Sequence, residues 1–86
     1  MTLDALRKRI DRIDGKLLRL LKERAETALR IGRIKKGQGL PVYDGRREQE
    51  VLRRLTRKNG GLLPASSVKA IFREILRRSR GLQGKG

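Results

Sequence analysis

Arg24 stands where a core side chain belongs. Leu3, Leu6, Ile10, Ile13, Leu17 and Leu20 recur in alternating steps of three and four, the next position on their seam is Arg24, and the seam continues through Thr27, Ile31 and Ile34. Burying a guanidinium without a partner is costly, so an anion is expected to meet it there. Lys35 lies on the same face as Arg24, reached through Ala28 and Ile31. Further on, Glu48 precedes Val51, Leu52 and Leu55 on one stripe with Asp44 a turn earlier, and Ser79 and Gln83 extend the stripe of Val68, Phe72 and Ile75. Each has an ordinary reading when taken alone. Arg24 can snorkel, Lys35 can complement a helix dipole or pair with Glu48 on the surface, Asp44 can be a cap, and Ser79 and Gln83 can be a solvated helix end. Their joint occurrence on stripes that should be buried points instead to an internal anion site, with neutral donors beside the cations.

Helices must position these groups. From about Leu3 to Lys36 the 3.6-residue pattern is unbroken, with Thr2 placed to cap it and Asp4 in the first turn, where the helix dipole favours negative charge. A helix of about 34 residues is roughly 50 Å long, more than a compact domain of this size can cover. Its excess seam needs a second chain. Gly37, Gly39 and Pro41 mark a loop, Asp44 caps a second helix over about 45–58, and Asn59, Gly60 and Gly61 stop it. Pro64 suits the first turn of a third helix over about 64–83, with Val68, Ile71, Phe72, Ile75 and Leu76 as its stripe, and the Gly84-Lys85-Gly86 tail is expected to fray. There is no strand-like alternation and no internal repeat. The expected fold is all-α, one domain over 1–86 with one very long and two shorter helices.

Arg7 lies seventeen positions before Arg24. On a straight helix that separates them by roughly 26 Å along the axis and by roughly 100° in direction. No small ligand touches both within one chain. If two long helices pair antiparallel, Arg7 of one protomer lies beside Arg24 of the other, and a two-fold dimer makes two equivalent shared sites.

Composition narrows the chemistry. In 86 residues, 24 Lys and Arg face 9 Asp and Glu, a formal charge of +15, which favours anionic partners: a nucleic acid, a membrane surface or a small acidic metabolite. With neither Cys nor His, disulfides, thiol nucleophiles, imidazole bases and the usual zinc sites are closed. No apolar run approaches a membrane span, so a soluble, cytoplasmic protein is expected. At this length a single core is marginal, and self-association often supplies the missing burial.

The ordered set Leu3-Asp4-Ala5-Leu6-Arg7, Ile10-Asp11-Arg12-Ile13-Asp14, Leu17-Leu18, Glu23-Arg24, Ile31-Gly32-Arg33-Ile34-Lys35 and Asp44-Gly45-Arg46-Arg47-Glu48, closed by Ser79 and Gln83, resembles the all-helical class of chorismate mutase. Members of that class stand alone or form the mutase domain of a bifunctional enzyme of aromatic amino-acid biosynthesis. The resemblance implies an intertwined antiparallel homodimer of three-helix protomers that rearranges chorismate to prephenate, without cofactor or metal. It implies that Arg24 and Arg7 of the partner subunit grip the two substrate carboxylates. Lys35 would serve a carboxylate and the ether oxygen, Gln83 would donate to that oxygen, Glu48 and the region of Asp44 would hold the ring hydroxyl, and Arg47 and Ser79 would complete the polar wall. Lys35, Gln83 and Glu48 are the expected catalytic residues. Gly15 and Gly81 depart from the pattern, each costing roughly 1 kcal/mol of helix stability relative to Ala, and Gly81 is expected to loosen Gln83.

Three rival readings are weaker. A related helical lyase acting on isochorismate fits the Asp44-to-Glu48 signature less well. A basic nucleic-acid-binding module leaves Asp44 and Glu48 unexplained and lacks both aromatics and a recognition-helix arrangement, so no specific nucleic acid is expected. A structural coiled coil has no need of Arg24, Lys35, Glu48 and Gln83 on its inner faces.

Overall fold

The computed structural model describes residues 1–84, and Lys85 and Gly86, with the fraying expected of them, lie outside the described residues. Three helices account for most of the chain: α1 (Leu3–Gly37), α2 (Gly45–Lys58) and α3 (Ala65–Gln83). Thr2 caps α1 by accepting from the Ala5 amide at 3.1 Å, and Asp4 forms an i,i+4 ion pair with Lys8 at 3.4 Å. At the other end Gln38 and Leu40 donate back to the carbonyls of Ile34 and Lys35, closing the last turn. The Asp44 side chain accepts from the Arg47 amide at 3.0 Å and starts α2. Gly60 and Gly61, at φ of 72° and 90°, make the left-handed turn that ends this helix region. Pro64 is the residue before α3 rather than its first helical residue, and its carbonyl takes the Ser67 and Val68 amides.

The third helix is the hub. It packs against α1 on one side and α2 on the other, while α1 and α2 do not pack on each other. Val51 and Leu52 of α2 and Leu76 of α3 form the buried centre, with Leu55 and Phe72 half-buried around it. Ala28 of α1 and Val68 of α3 are buried as well, whereas Ile71, expected on the inner stripe of α3, is exposed.

The seam of α1 meets a different fate in its two halves. Leu3, Leu6, Ile10, Ile13, Leu17 and Leu20 are each at least 42% exposed, so the helix projects well beyond the body of an elongated molecule of 54 × 24 × 15 Å. In the C-terminal half, the expected continuation through Thr27, Ile31 and Ile34 is also exposed, and Ala28 and Gly32 are buried in its place. Close approach is the reason. A Cβ on Gly32 would lie 2.6 Å from the Gln83 backbone oxygen, so α3 settles on the smallest side chains of α1 rather than on its largest.

Candidate active site

Where the ends of α1 and α3 face the start of α2, a cavity of about 390 Å³ opens, and Arg24, Lys35, Asp44, Arg47, Glu48, Ser79 and Gln83 all line it. Three sequence-distant stretches are gathered by the packing of α1 and α2 on one hub helix. Arg7 is not among them. It lies on the projecting half of α1, exposed and away from the cavity of its own chain.

Lys35 and Gln83 face each other directly. The Lys35 ammonium donates to Gln83 Oε1 at 2.9 Å and to the Val42 carbonyl at 2.8 Å. A lysine has only donors, so its contact fixes the amide with Oε1 toward Lys35 and leaves the two Nε2 donors for an acceptor in the cavity. Gly81 does not disturb this: α3 runs unbroken through it, a Cβ added there would meet only open space, and the contact over Gly32 seats Gln83.

Arg24 donates to the Ser79 hydroxyl, which is buried and itself donates to the Ile75 carbonyl at 2.9 Å. Ser79 thereby holds the guanidinium rather than fraying into solvent. Among the described residues neither Arg24 nor Lys35 lies within ion-pair distance of a carboxylate. Both cations therefore keep their charge for a ligand. Asp44 spends one oxygen on the α2 cap, and the Arg47 guanidinium reaches Glu50 at 2.7 Å in an exposed pair, so Arg47 lines the cavity without being anchored in it.

Glu48 has a partner that the sequence reading missed. Its Oε2 lies 3.2 Å from Arg80 Nε, and the Arg80 guanidinium sits 5.1 Å from the centre of the Tyr43 ring. Arg80 also lines the cavity. The signal was present in the spacing: Leu76, Arg80 and Gln83 are separated by four and three, the same stripe that picked out Ser79 and Gln83.

A cavity with two uncommitted cations, a neutral donor pair and two carboxylates at its rim suits a small, multiply negative, hydroxylated molecule. Among the described residues no group of three or more His, Cys, Asp or Glu side chains comes together. No helix among them is long and apolar enough to cross a membrane. The model of the chorismate mutase type II family matches residues 6–84. This chain belongs to that family. A chorismate mutase from Thermus thermophilus superposes with a TM-score of 0.93 at 41% identity, over 95% of this chain and 93% of that one. A chorismate mutase from Helicobacter pylori, solved in complex with prephenate, superposes with a TM-score of 0.88 at 37% identity, over 96% of this chain and 90% of the other. The bifunctional chorismate mutase/prephenate dehydratase of Aquifex aeolicus is 44% identical over 96% of this chain, which spans only 24% of that protein. The all-α, three-helix architecture is therefore shared with these solved chorismate mutases, at 41% and 37% identity.

Proposed function

We propose that the chain is a cytoplasmic chorismate mutase domain, working as a homodimer to rearrange chorismate to prephenate. One observation carries the reading: Lys35 and Gln83, joined at 2.9 Å, present cationic and neutral donors in a cavity that also holds the uncommitted guanidinium of Arg24. The Helicobacter pylori relative, solved with prephenate, supports the ligand class.

The rearrangement is unimolecular and pericyclic. It needs no nucleophile, no metal and no obligatory proton transfer, so a chain lacking Cys and His can catalyse it. The protein has two tasks: to hold a flexible dianion in its folded reactive shape, and to aim donors at the ether oxygen that gains charge as its bond to carbon breaks. Arginine suits the first because its planar fork takes a carboxylate bidentately. In this reading Arg24 and Arg7 of the partner subunit grip the two carboxylates, and Lys35 serves one of them. Lys35 and Gln83 then donate to the ether oxygen. Glu48, with Asp44 nearby, accepts from the ring hydroxyl, and Arg47 and Ser79 complete the polar wall.

Two features support the shared dimer. The apolar seam from Leu3 to Leu20 is exposed along its whole length. Beside Arg24 and Ser79 a second hollow of about 590 Å³ is lined by Leu21, Ala25, Ile71, Ile75 and Leu82, an apolar surface that a second long helix would cover.

The test is consumption of chorismate by purified protein, followed by its ultraviolet absorbance, with prephenate identified as product. Pyruvate release from isochorismate without chorismate consumption would replace the mutase reading with the lyase. Duplex DNA binding that survives moderate salt, with chorismate untouched, would replace it with a nucleic-acid module.

A further inference from the structure

From the geometry around Glu48 we infer that Arg80 is a positioning residue: braced against the Tyr43 ring, it holds one oxygen of the Glu48 carboxylate and leaves the other for the hydroxyl of the bound substrate. This rests on the reading above, in which Glu48 meets that hydroxyl.

Three segments meet to make the arrangement. Tyr43 comes from the loop before α2, Glu48 from the first turn of α2, and Arg80 from the last turn of α3. Arg80 Nε stands 3.2 Å from Glu48 Oε2, and its guanidinium carbon 5.1 Å from the Tyr43 ring centre. Gly45 makes room for the ring, since a Cβ there would lie 2.8 Å from the Tyr43 hydroxyl oxygen. Glu48 and Arg80 line both the main cavity and a shallower hollow of about 480 Å³ on its far side, which Tyr43 also lines. The pair is thus the partition between the two, with Tyr43 behind it.

The need for such a brace follows from the charges in the cavity. Glu48 shares the space with Arg24 and Lys35. An untethered carboxylate on a flexible side chain would swing toward either cation and contest it with the substrate. Arg80, which unlike them also lines the neighbouring hollow, supplies a counter-charge, and the side chain of Glu48 is only 20% exposed, so screening by water weakens that attraction less than at an open surface. Arginine does this better than lysine because its flat guanidinium can lie over the ring while its delocalised charge stays beside the carboxylate; the contact is an ion pair, since Arg80 Nε makes no hydrogen bond.

The test is a double-mutant cycle in steady-state chorismate kinetics, using wild type, Arg80→Gln, Glu48→Gln and the double variant, with Arg80→Lys and Tyr43→Leu beside them. Arg80→Gln is expected to lower kcat/KM about tenfold, most of it as a rise in KM, because Glu48 then competes with the substrate for its cations. In the Glu48→Gln background the same change should cost less than about twofold, since the charge it restrains is gone. Arg80→Lys should recover part of the loss. Tyr43→Leu, at an exposed side chain whose removal spares the core, should reproduce the KM rise more weakly, which keeps the idea testable if Arg80→Gln folds poorly. Equal losses in both Glu48 backgrounds, or an Arg80→Gln protein with unchanged KM, overturn the inference while leaving the mutase reading intact. Absent turnover by the wild type overturns that reading and this inference with it.

Discussion

Lys35 donates to the side-chain carbonyl of Gln83 across 2.9 Å, tying the last turn of α1 to the last turn of α3. One bond therefore sets both the place of the ammonium and the orientation of the amide. If these are the donors that stabilise charge on the breaking ether oxygen, Lys35→Ala removes one donor and releases the other. Turnover is expected to fall by about 10²-fold or more, the scale seen when an oxyanion donor is lost. Steady-state kcat for the purified variant measures this, and turnover like that of the wild type removes Lys35 from its role.

The pH–rate profile should be broad. Gln83 is neutral and donates at any ordinary pH, the rearrangement moves no proton, and the chain has no His to titrate near neutrality. We expect kcat to vary by less than about twofold between roughly pH 6 and 8, the range in which an unperturbed imidazole would change charge. A steep fall just below neutrality would contradict the reliance on a neutral donor.

Gly32 gives a steric test of the same corner. Its Cβ would meet the Gln83 backbone at 2.6 Å from the oxygen and 2.7 Å from Cα, and these are main-chain atoms that cannot swing aside. Gly32→Ala should destabilise the fold by about 1–3 kcal/mol, as overpacking does. It should also lower kcat/KM by at least about tenfold, because the end of α3 must move. Gly15→Ala is the control: its Cβ meets nothing within 4 Å, so that variant should gain about 0.4–1 kcal/mol and keep its activity. Thermal melts and chorismate kinetics on the two proteins separate the outcomes.

The contrast between these glycines marks how far the sequence could be read. The three helices were legible because their apolar stripes and their caps at Thr2 and Asp44 are local signals. The gathering of Arg24, Lys35, Asp44, Glu48, Ser79 and Gln83 around one cavity was legible because polar residues on stripes meant for burial stand out, whereas Arg47 was reached only through the family resemblance. What escaped is non-local. Ala28 already stood on the face that joins Arg24 to Lys35, but Gly32 carries no hydrophobic period, so its burial in place of Ile31 and Ile34 depends on how closely two backbones approach. Arg80 meets Glu48 and Tyr43 only after α2 and α3 have packed, and Arg47 turns to Glu50 because that exposed carboxylate is one helical turn away.

Two exposed arginines, Arg77 and Arg78, find a local use at Glu74. Its carboxyl bonds to Arg77 at 2.6 Å and Arg78 at 2.9 Å, and these hydrogen bonds, Arg77's first, hold its pKa down at about 2 from the ordinary 4.5. A carboxylate depressed in the folded state stabilises it above the unfolded value, and that contribution disappears as pH falls from about 4.5 toward about 2. The group is open to solvent, so the effect is small and screened by salt. Carboxyl-detected NMR titration should place the Glu74 midpoint well below the ordinary glutamate value of 4.5 at low ionic strength. Arg77→Ala should move it up, and an unmoved midpoint would show that Arg77 is not the cause.

Sharing of the site between protomers has the most demanding test. Arg7 lies on the projecting half of α1 and Arg24 in the cavity, so one chain cannot bring both to a small ligand. If a partner's Arg7 completes the site, Arg7→Ala and Arg24→Ala are each nearly inactive as pure proteins. When the two are mixed and allowed to exchange subunits, half of the dimers become mixed. A mixed dimer has one pocket carrying both defects and one carrying neither. Activity should recover to about a quarter of that of the wild type, the fraction of intact pockets that two-fold symmetry allows. Exchange is verified independently by mass spectrometry of differently tagged chains. Recovery that tracks the heterodimer fraction supports the shared pocket. Full exchange without recovery would confine the site to one protomer and leave the exposed seam of α1 with a purely structural role.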